Sequence, residues 1–391
     1  MGNIFDDYRN INPKNESREV WCHWPANYKM KGKNWEREAV IQCFDINHKL
    51  VIDENVGIRV RGNASRAFPC KSFNIYAREL YGVNRFKYDF WGTNYYPATF
   101  SLFACGGDTY SKIRDSLTTD LCKNLDFATQ HYTPCEIFLD GEYWGVYYIT
   151  EKYDAEYFSN YYGVEKDNVV VIRTGEVEEG TEEDQVAFLR DMDYLMNADL
   201  TNSDNYAKAC EIIDMQSTID YFAASIYLGK SKDWLVAWTN TGLWKTNYHG
   251  ATRYEDGKWR WIMFDSNGTA WKDSASLDNL GYHLEHSMLL QNLCTNDSFR
   301  KAFIERIFEF GGAQSEDIID PMIEDYKELL SEPMNLDLHR YYNGSNDLFF
   351  DELRYIEDYF DERYDRITKL CDRAFPNDNV VYYAQKYSKI Q

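Results

Sequence analysis

The period of the hydrophobic pattern changes along this chain, and that change limits the folds that the chain can adopt. Between residues 36 and 153, apolar and polar residues alternate in short runs such as VGIRVRGN and CEIFLDGEYWGVYYITEKYD. Alternation of this kind is typical of strands, and Asp140-Gly141 inside the second run predicts a hairpin turn. From Gln185 onward, apolar residues recur mainly at helical spacing. The sequence therefore predicts an α+β fold, with an antiparallel sheet followed by a mainly helical region.

The chain is expected to form two lobes, with a boundary near residue 155. The first lobe would comprise 1–155, beginning with an irregular arm at 1–35, and the second would comprise 156–391. The acidic run GEVEEGTEED at 175–184 predicts an exposed loop, because clustered like charges resist burial. Helical spacing in the second lobe covers 185–197, 212–229, 299–310, 318–330 and 349–375.

The charge and the hydropathy of the chain each argue against one class of partner. A net charge of −22 over 391 residues repels the phosphate backbone, so we expect no nucleic-acid partner. No stretch reaches the roughly 18 apolar residues of a membrane span, and the start MGNIFDDYRN lacks the pattern of a secretory signal. We therefore expect no membrane span and no signal peptide in this sequence, and we expect a monomer.

The cysteines predict neither a zinc site nor a disulfide framework. There are nine of them, an odd number, and no two form a C-x-x-C pair. Several lie in apolar strand or helix patterns, where a free cysteine packs as a small hydrophobic residue. We expect free thiols, including those of Cys70 and Cys122.

One predicted helix, at 111–125, carries a cation on its apolar side. At 100° per residue, Arg114 falls within the stripe formed by the apolar residues, whereas Asp115 faces away and should be exposed. Buried cations are rare unless they are paired. Arg114 should therefore meet a carboxylate or a ligand phosphate.

A turn between two predicted strands of the first lobe is rich in cations. The segment VRGNASRAFPCKSF contains Ser65 in the turn itself, and Arg59, Arg61, Arg66 and Lys71 surround it. Inward-pointing backbone amides edged by cations suit a phosphate. A basic, solvated hairpin is an equally good interpretation of this segment.

The stretch 228–268 places carboxylates and an amide in two loops. Asp233 and Asn240 follow a helical segment, and Asp265 follows two predicted strands around 243–245 and 259–261. These strands should pair as a hairpin through a turn at 254–257, which would bring the two loops together. Phosphoryl transfer needs one carboxylate at the acceptor hydroxyl and further oxygen ligands for metal. Two unrelated surface loops remain the alternative, because Asp and Asn are ordinary turn residues.

Together these segments resemble the spore coat protein H (CotH) kinase family. The resemblance is carried by NYKMKGKNWERE, VRGNASRAFPCKSF, KIRDSLTTDL, LDGEYWGVYYITEKYD, KDWLVAWTNTGLWK and DGKWRWIMFDSNG. It implies a two-lobed, atypical protein-kinase-like fold with an antiparallel-sheet N-lobe and a mainly helical C-lobe. It also implies an enzyme that transfers phosphate from ATP, with Mg²⁺ or Mn²⁺, to Ser or Thr of a protein substrate. Location at the cell surface or spore, or secretion, would follow from the same resemblance.

The resemblance also implies roles for individual residues. Asp233 matches the catalytic-loop Asp, and Asn240 and Asp265 match the metal ligands. Lys71 matches the phosphate-binding Lys of the first lobe, and we expect Arg59, Arg61, Ser65, Arg66 and Arg114 to assist it. Thr150 and Glu151 match the segment that holds adenine.

Two departures from the family pattern support an alternative function. The segment from Asp233 to Asn240 is longer than the usual family loop, and Asn267 stands where the family tends to have a second Asp. Asn can ligate magnesium through its carbonyl oxygen but brings no charge, so the expected metal affinity is lower. The alternative is a pseudokinase or a surface binding or adhesion protein that keeps the kinase-like fold.

Overall fold

The computed structural model describes residues 26–173, 175–230, 256–272 and 274–388, together with the backbone of three short strands between 238 and 252. Within these residues the chain is α+β, as predicted. The strands are β1 (Arg37–Phe44), β2 (Leu50–Val60), β3 (Phe73–Tyr76), β4 (Thr99–Phe103), β5 (Tyr132–Leu139), β6 (Glu142–Glu151), β7 (Val170–Arg173), β8 (Glu176–Glu179), β9 (Trp238–Thr239), β10 (Gly242–Leu243), β11 (His249–Thr252) and β12 (Arg260–Ile262). The helices are α1 (Arg114–Cys122), α2 (Ala155–Tyr162), α3 (Glu182–Asn197), α4 (Ser203–Ile212), α5 (Met215–Tyr227), α6 (Asn279–His286), α7 (Met288–Thr295), α8 (Asp297–Gly312), α9 (Glu316–Tyr342), α10 (Asn346–Ala374) and α11 (Val380–Tyr387).

The described residues form two compact units that alternate along the chain. The first contains the residues up to Lys112, Gln130–Lys152 and Leu330–Phe349, and the second contains Ile113–Thr129, Tyr153–Leu329 and the residues from Phe350 onward. Helix α1, which the sequence analysis assigns to the first lobe, is part of the second unit. The division into lobes at residue 155 stays a prediction.

The first unit is built on one antiparallel sheet in the order β1-β2-β3-β4-β6-β5. The predicted hairpin of β5 and β6 is confirmed. Asp140 and Gly141 in its turn have φ angles of 50° and 81°. Two consecutive residues with positive φ are typical of the type I′ turn that joins twisted strands, and Asp-Gly is among the pairs that adopt it most readily.

The two faces of this sheet differ in polarity. One face packs into the hydrophobic core of the unit, with Phe73, Ile75, Phe100, Leu102, Tyr147 and Ile149 among its buried residues. The alternate residues lie on the opposite face, where the register pairs Arg59 with Asn74, Asn74 with Ser101, and Ser101 with Thr150. These four residues, which we call the polar row, cross four neighbouring strands side by side.

The second unit contains a four-stranded sheet in the order β12-β11-β7-β8. Strands β11 and β12 pair antiparallel, which confirms a hairpin that returns the chain toward Asp265, but its first strand is 249–252 and not 243–245. Leu243 instead pairs with Trp238 in a separate two-stranded sheet. The predicted exposed loop at 175–184 was also wrong, because β8 and the start of α3 lie there, with Thr181 capping the helix.

The predicted helices of the second unit are present, and most are longer than predicted. Helix α5 is buried along its whole length from Ser217 and packs against α8, where Arg306 pairs with Asp220 at 2.7 Å. No helix among the described residues has the length and apolar character needed to cross a membrane. All eight cysteines in the described part of the chain are free thiols, and Cys70 and Cys122 are buried.

Candidate functional site

The turn that follows β12 brings two of the predicted metal ligands together. Asp265 lies three residues beyond Ile262 and has a φ of 57°, a conformation that residues with side chains seldom adopt. The side-chain amide of Asn267 donates a hydrogen bond to Oδ1 of Asp265 at 2.5 Å. Two oxygen-bearing side chains are therefore in contact on one turn.

Helix α1 supports this turn through a carboxylate that the sequence analysis expected to be exposed. Asp115 is 2% exposed, and its Oδ1 accepts a hydrogen bond from the backbone amide of Ser266 at 2.7 Å. The hydroxyls of Thr118 and Thr269 lie 2.9 Å apart and make a second contact between α1 and the turn. The expectation failed because Asp115, although off the apolar stripe, is covered by the turn.

The prediction that Arg114 points inward and is paired is confirmed. Its side chain is fully buried, and a guanidinium nitrogen lies 2.7 Å from a carboxylate oxygen of Glu352. The guanidinium carbon also lies 4.6 Å from the centre of the Trp271 ring. Charge pairing and the aromatic face together make burial of this cation tolerable.

In the first unit, three predicted nucleotide-binding residues share the polar face of the sheet. Arg59 and Thr150 belong to the polar row, and Arg61 follows on the same side, with its guanidinium 5.1 Å from the ring of Phe103. Thr150 is fully buried, and its hydroxyl has no hydrogen-bond partner among the described residues. Two arginines, an amide and two hydroxyls thus line one polar surface.

A cavity of about 130 Å³ lies beside the polar row. Its lining includes cationic, amide and aromatic residues: Asn27, Lys31, Trp35, Arg59, Arg66 and Tyr76. Arg59 lies 4.1 Å above the ring of Tyr76 and 3.5 Å from Glu36. Burial alone would raise the pKa of Glu36, but the guanidinium groups of Arg78 and Arg59 lower it, so this carboxylate is charged and already paired. The cavity combines features that suit an anionic ligand.

Arg66 and Lys71 hold the basic turn in shape. Arg66 donates hydrogen bonds to the carbonyl oxygens of Gly62, Tyr28 and Met30. Lys71 is fully buried and donates to the carbonyls of Arg66 and Phe68, each at 2.8 Å. Ser65 lies next to Arg66 in the short helical turn Ala64–Ala67.

Glu151, the last residue of β6, is held by several hydrogen bonds. The carboxylate of Glu151 accepts from the backbone amide of His131 at 2.7 Å and contacts its ring Nδ1 at 2.6 Å. The side chain of Gln130 donates to the backbone carbonyl of Glu151. Of the two residues predicted to hold adenine, Thr150 is the one whose side chain is not engaged by these contacts.

The family model described as CotH kinase protein matches residues 58–367, which include both the polar row and the turn at Asp265. The chain belongs to the CotH kinase family. No curated protein matches it. Membership in the CotH kinase family supports a kinase-like function.

The oxygen ligands on the turn suit the metal that a CotH kinase is expected to use. Magnesium and manganese prefer carboxylate and amide oxygens, which Asp265 and Asn267 supply. Within the described ranges, no group of three or more His, Cys, Asp or Glu residues is arranged to bind a metal. The site would therefore depend on Asp265, Asn267 and the nucleotide, with Asn240. Asn240 and Asp233 lie outside the described residues.

Several residues of the candidate site in this CotH kinase family member were not predicted from the sequence. Asn74 and Ser101 were not selected, although the alternation of β3 and β4 would have placed them on the face of Arg59. Lys230 was also missed; it is buried beside the turn, and its ammonium donates to the carbonyl of Phe264. Its partner is 34 positions away. No periodic pattern in the sequence signals such a contact.

Lys71 should make the stability of this CotH kinase family member depend on pH in the alkaline range. Burial lowers the pKa of Lys71 to about 8, against 10.5 for an exposed lysine. Between these values the unfolded chain binds a proton that the folded protein lacks, so the free energy of unfolding rises with pH, by up to about 1.4 kcal/mol per pH unit. In urea titrations, the free energy of unfolding of the wild type minus that of Lys71→Met should increase from pH 7.5 to 9.5.

Lys87→Met is the matched control for this measurement, because Lys87 is exposed in the same unit. Its stability difference from the wild type should stay constant over the same pH range. A constant difference for Lys71→Met as well would show that Lys71 is fully protonated in the folded state throughout this range.

Proposed function

We propose that this chain is an ATP-dependent protein kinase that transfers the γ-phosphate to a Ser or Thr hydroxyl of a protein substrate. The observation that carries the proposal is the contact between Asp265 and Asn267 on the turn after β12. A carboxylate, beside an amide whose oxygen can also ligate, supplies two of the ligands that a metal–nucleotide complex uses. The match to the CotH kinase model over most of the chain supports the same assignment.

Each candidate residue has a role in this proposal. Asp265, with Asn267 and Asn240, would hold Mg²⁺ or Mn²⁺, which neutralises charge on the triphosphate when it is bound. Asp233 would orient the acceptor hydroxyl and accept its proton. The phosphates would be held by Arg59, Arg61, Ser65, Arg66, Lys71 and Arg114. Thr150 and Glu151 would hold the adenine, with the hydroxyl of Thr150 as the available hydrogen-bonding group.

The contacts of two cations favour a second candidate, a pseudokinase or binding protein that retains the fold. Arg66 and Lys71 use their side-chain donors on backbone carbonyls, which shapes the turn but engages the groups that would grip phosphate. Such a protein could bind a nucleotide, a glycan or a partner without transferring phosphate. It would show ligand-induced stabilisation and no phosphoryl transfer.

Incubation with labelled ATP, Mg²⁺ or Mn²⁺, and casein as a generic acceptor tests the kinase proposal. We expect label transfer by the wild type, and a loss of about 100-fold or more in Asp265→Ala and in Asp233→Asn, because each removes a group that acts on the transferred phosphate or its acceptor. Asp317→Ala is the control, since Asp317 is exposed on α9. It should transfer label at the wild-type rate.

Thermal melting separates the two candidates. A ligand that binds only the folded state stabilises it by about 2.7 kcal/mol at 100 times its dissociation constant. Magnesium and ATP together should therefore raise the melting temperature of the wild type, and Asp265→Ala should lose the metal-dependent part of the shift. A shift without any label transfer would favour the pseudokinase. If ATP raised the melting temperature equally with and without metal, in both the wild type and Asp265→Ala, then Asp265 would not be the metal ligand.

A further inference from the structure

The two peptide groups that flank Asp265 are each held by a buried, charged side chain. On one side, the ammonium of Lys230 donates to the carbonyl of Phe264. On the other side, the carboxylate of Asp115 accepts from the backbone amide of Ser266 at 2.7 Å. Lys230 is 3% exposed and Asp115 is 2% exposed. A cation therefore binds the peptide group before Asp265, and an anion binds the peptide group after it.

This arrangement controls the backbone angles of Asp265. Because a peptide group is planar, the direction of the Phe264 carbonyl sets the orientation of the peptide that precedes Asp265. The direction of the Ser266 amide sets the orientation of the peptide that follows it. With both planes held, φ and ψ of Asp265 are determined, and φ takes its value of 57°. A residue with a Cβ would otherwise leave this region, which is unfavourable for it by sterics.

Lys230 is anchored at both ends. Its backbone amide donates to the carbonyl of Ser225 at 2.9 Å, which attaches it to the end of α5. Its ammonium also contacts the sulfur of Met263 at 3.5 Å and lies 5.7 Å from the ring centre of Tyr221. Lys230 therefore links the helix that precedes the Asp233 segment to the turn that carries Asp265.

Asp115 is anchored in the same way. It lies in the first turn of α1, where the helix dipole favours a negative charge. Thr118, one turn later on α1, contacts Thr269, whose backbone amide donates to the carbonyl of Ser266. The amide and carbonyl of Ser266 are thus both bound, and α1 is tied to the turn at two points.

We propose that Lys230 and Asp115 are positioning residues that hold Asp265 ready for a divalent cation. The proposal rests on the proposed function for its choice of cation, Mg²⁺ or Mn²⁺. The clamp, meaning Lys230 and Asp115 together, keeps the carboxylate of Asp265 in one orientation before the cation arrives. Binding then requires no rearrangement of the backbone, and loss of either hydrogen bond to the backbone lowers the affinity for the cation.

Binding of Mn²⁺ in the presence of ATP, measured by electron paramagnetic resonance, tests the proposal without reading catalytic activity. We expect Lys230→Met and Asp115→Ala to raise the dissociation constant of Mn²⁺ by about 10–100-fold, the usual effect of removing a group that orients a metal ligand. Asp115→Asn keeps an oxygen that can accept from Ser266, so its affinity should stay within about threefold of the wild type. Lys272→Met, which changes an exposed lysine on the same segment, should bind Mn²⁺ like the wild type.

A second measurement uses the metal-free protein and is independent of the proposed function. Glycine adopts positive φ without strain and alanine does not, so Asp265→Gly should melt at a higher temperature than Asp265→Ala. In a background that carries Lys230→Met and Asp115→Ala, the turn can relax, and we expect this difference to shrink by at least about half. If Lys230→Met does not fold, the comparison uses Asp115→Ala alone as the background.

The outcomes separate the inference from the proposed function. If Asp265→Ala abolishes Mn²⁺ binding while Lys230→Met and Asp115→Ala bind it like the wild type, the clamp is overturned and the metal ligand stands. If the wild type binds no Mn²⁺ with ATP, the proposed metal function fails, and the melting comparison alone decides on the clamp. An equal gap between the glycine and alanine variants in both backgrounds would overturn the clamp whatever the metal does.

Discussion

Asp337→Ala is expected to lower the free energy of unfolding of the first unit by about 3–5 kcal/mol. Asp337 and Lys112 are both buried, and Oδ2 of Asp337 lies 2.6 Å from the ammonium. The same oxygen accepts from the backbone amide of Val146 at 2.8 Å, and Lys112 donates to the carbonyl of Val146 at 2.9 Å. Removing the carboxylate would leave an ammonium without its counter-ion in the core of this unit. Urea unfolding followed by circular dichroism measures the loss.

Two controls separate the buried pair from a general effect of substitution on α9. Asp325→Ala changes an exposed carboxylate of the same helix and should alter stability by less than about 0.5 kcal/mol. The double variant Lys112→Met with Asp337→Leu removes both charges and should recover most of the stability, because apolar residues of similar volume can replace a buried pair. A double variant as unstable as Asp337→Ala would contradict this account.

Arg363→Met is expected to have a comparable effect in the second unit, about 4 kcal/mol. Arg363 is fully buried on α10, and its guanidinium donates to five oxygen atoms, with no carboxylate among them. Two of these oxygens are the carbonyls of Ile226 and Tyr227 at the end of α5. The last carbonyls of a helix have no partner within it, and a cation is favoured there. Methionine fills much of the space but donates none of these five hydrogen bonds.

Calorimetric melting of three variants checks this expectation. Arg366→Met is the matched control, since Arg366 lies one turn further along α10, is exposed, and pairs with the exposed Glu362. Its effect should be below about 1 kcal/mol. Arg363→Lys keeps the charge but cannot supply the forked set of donors, so its melting temperature should lie between those of the wild type and Arg363→Met. A lysine variant as stable as the wild type would show that charge, and not geometry, is what the helix end requires.

Local patterns in the sequence predicted the elements well. The alternation around Asp140-Gly141 predicted the hairpin of β5 and β6, and the helical phase of Arg114 predicted that it would be inward and paired. Both depend on residues close together in sequence. The hairpin to β12 was also predicted, but with its first strand too early, because the chain forms the short β9–β10 pair before it.

These local patterns did not predict contacts between residues that are far apart in sequence. Asp115 faces away from the apolar stripe of α1, yet the turn at Ser266, 151 positions later, covers it. Arg363 reaches a helix end 136 positions earlier. A helical wheel predicts which side of a helix packs against one neighbouring element. It gives no information on a second neighbour that packs on the polar side, and that is where the supports of the candidate site are found.

The ion pair between Lys112 and Asp337 has a consequence for synthesis of the chain. The two residues are 225 positions apart. At about 5–20 residues per second, a ribosome needs roughly 10–45 s to add the carboxylate after the ammonium. The sheet of the first unit is complete in sequence at Glu151, but its buried cation has no counter-ion until the segment from Leu330 emerges. The nascent first unit therefore stays incompletely folded while the whole of Tyr153–Leu329 is translated. A chaperone would bind it during this interval.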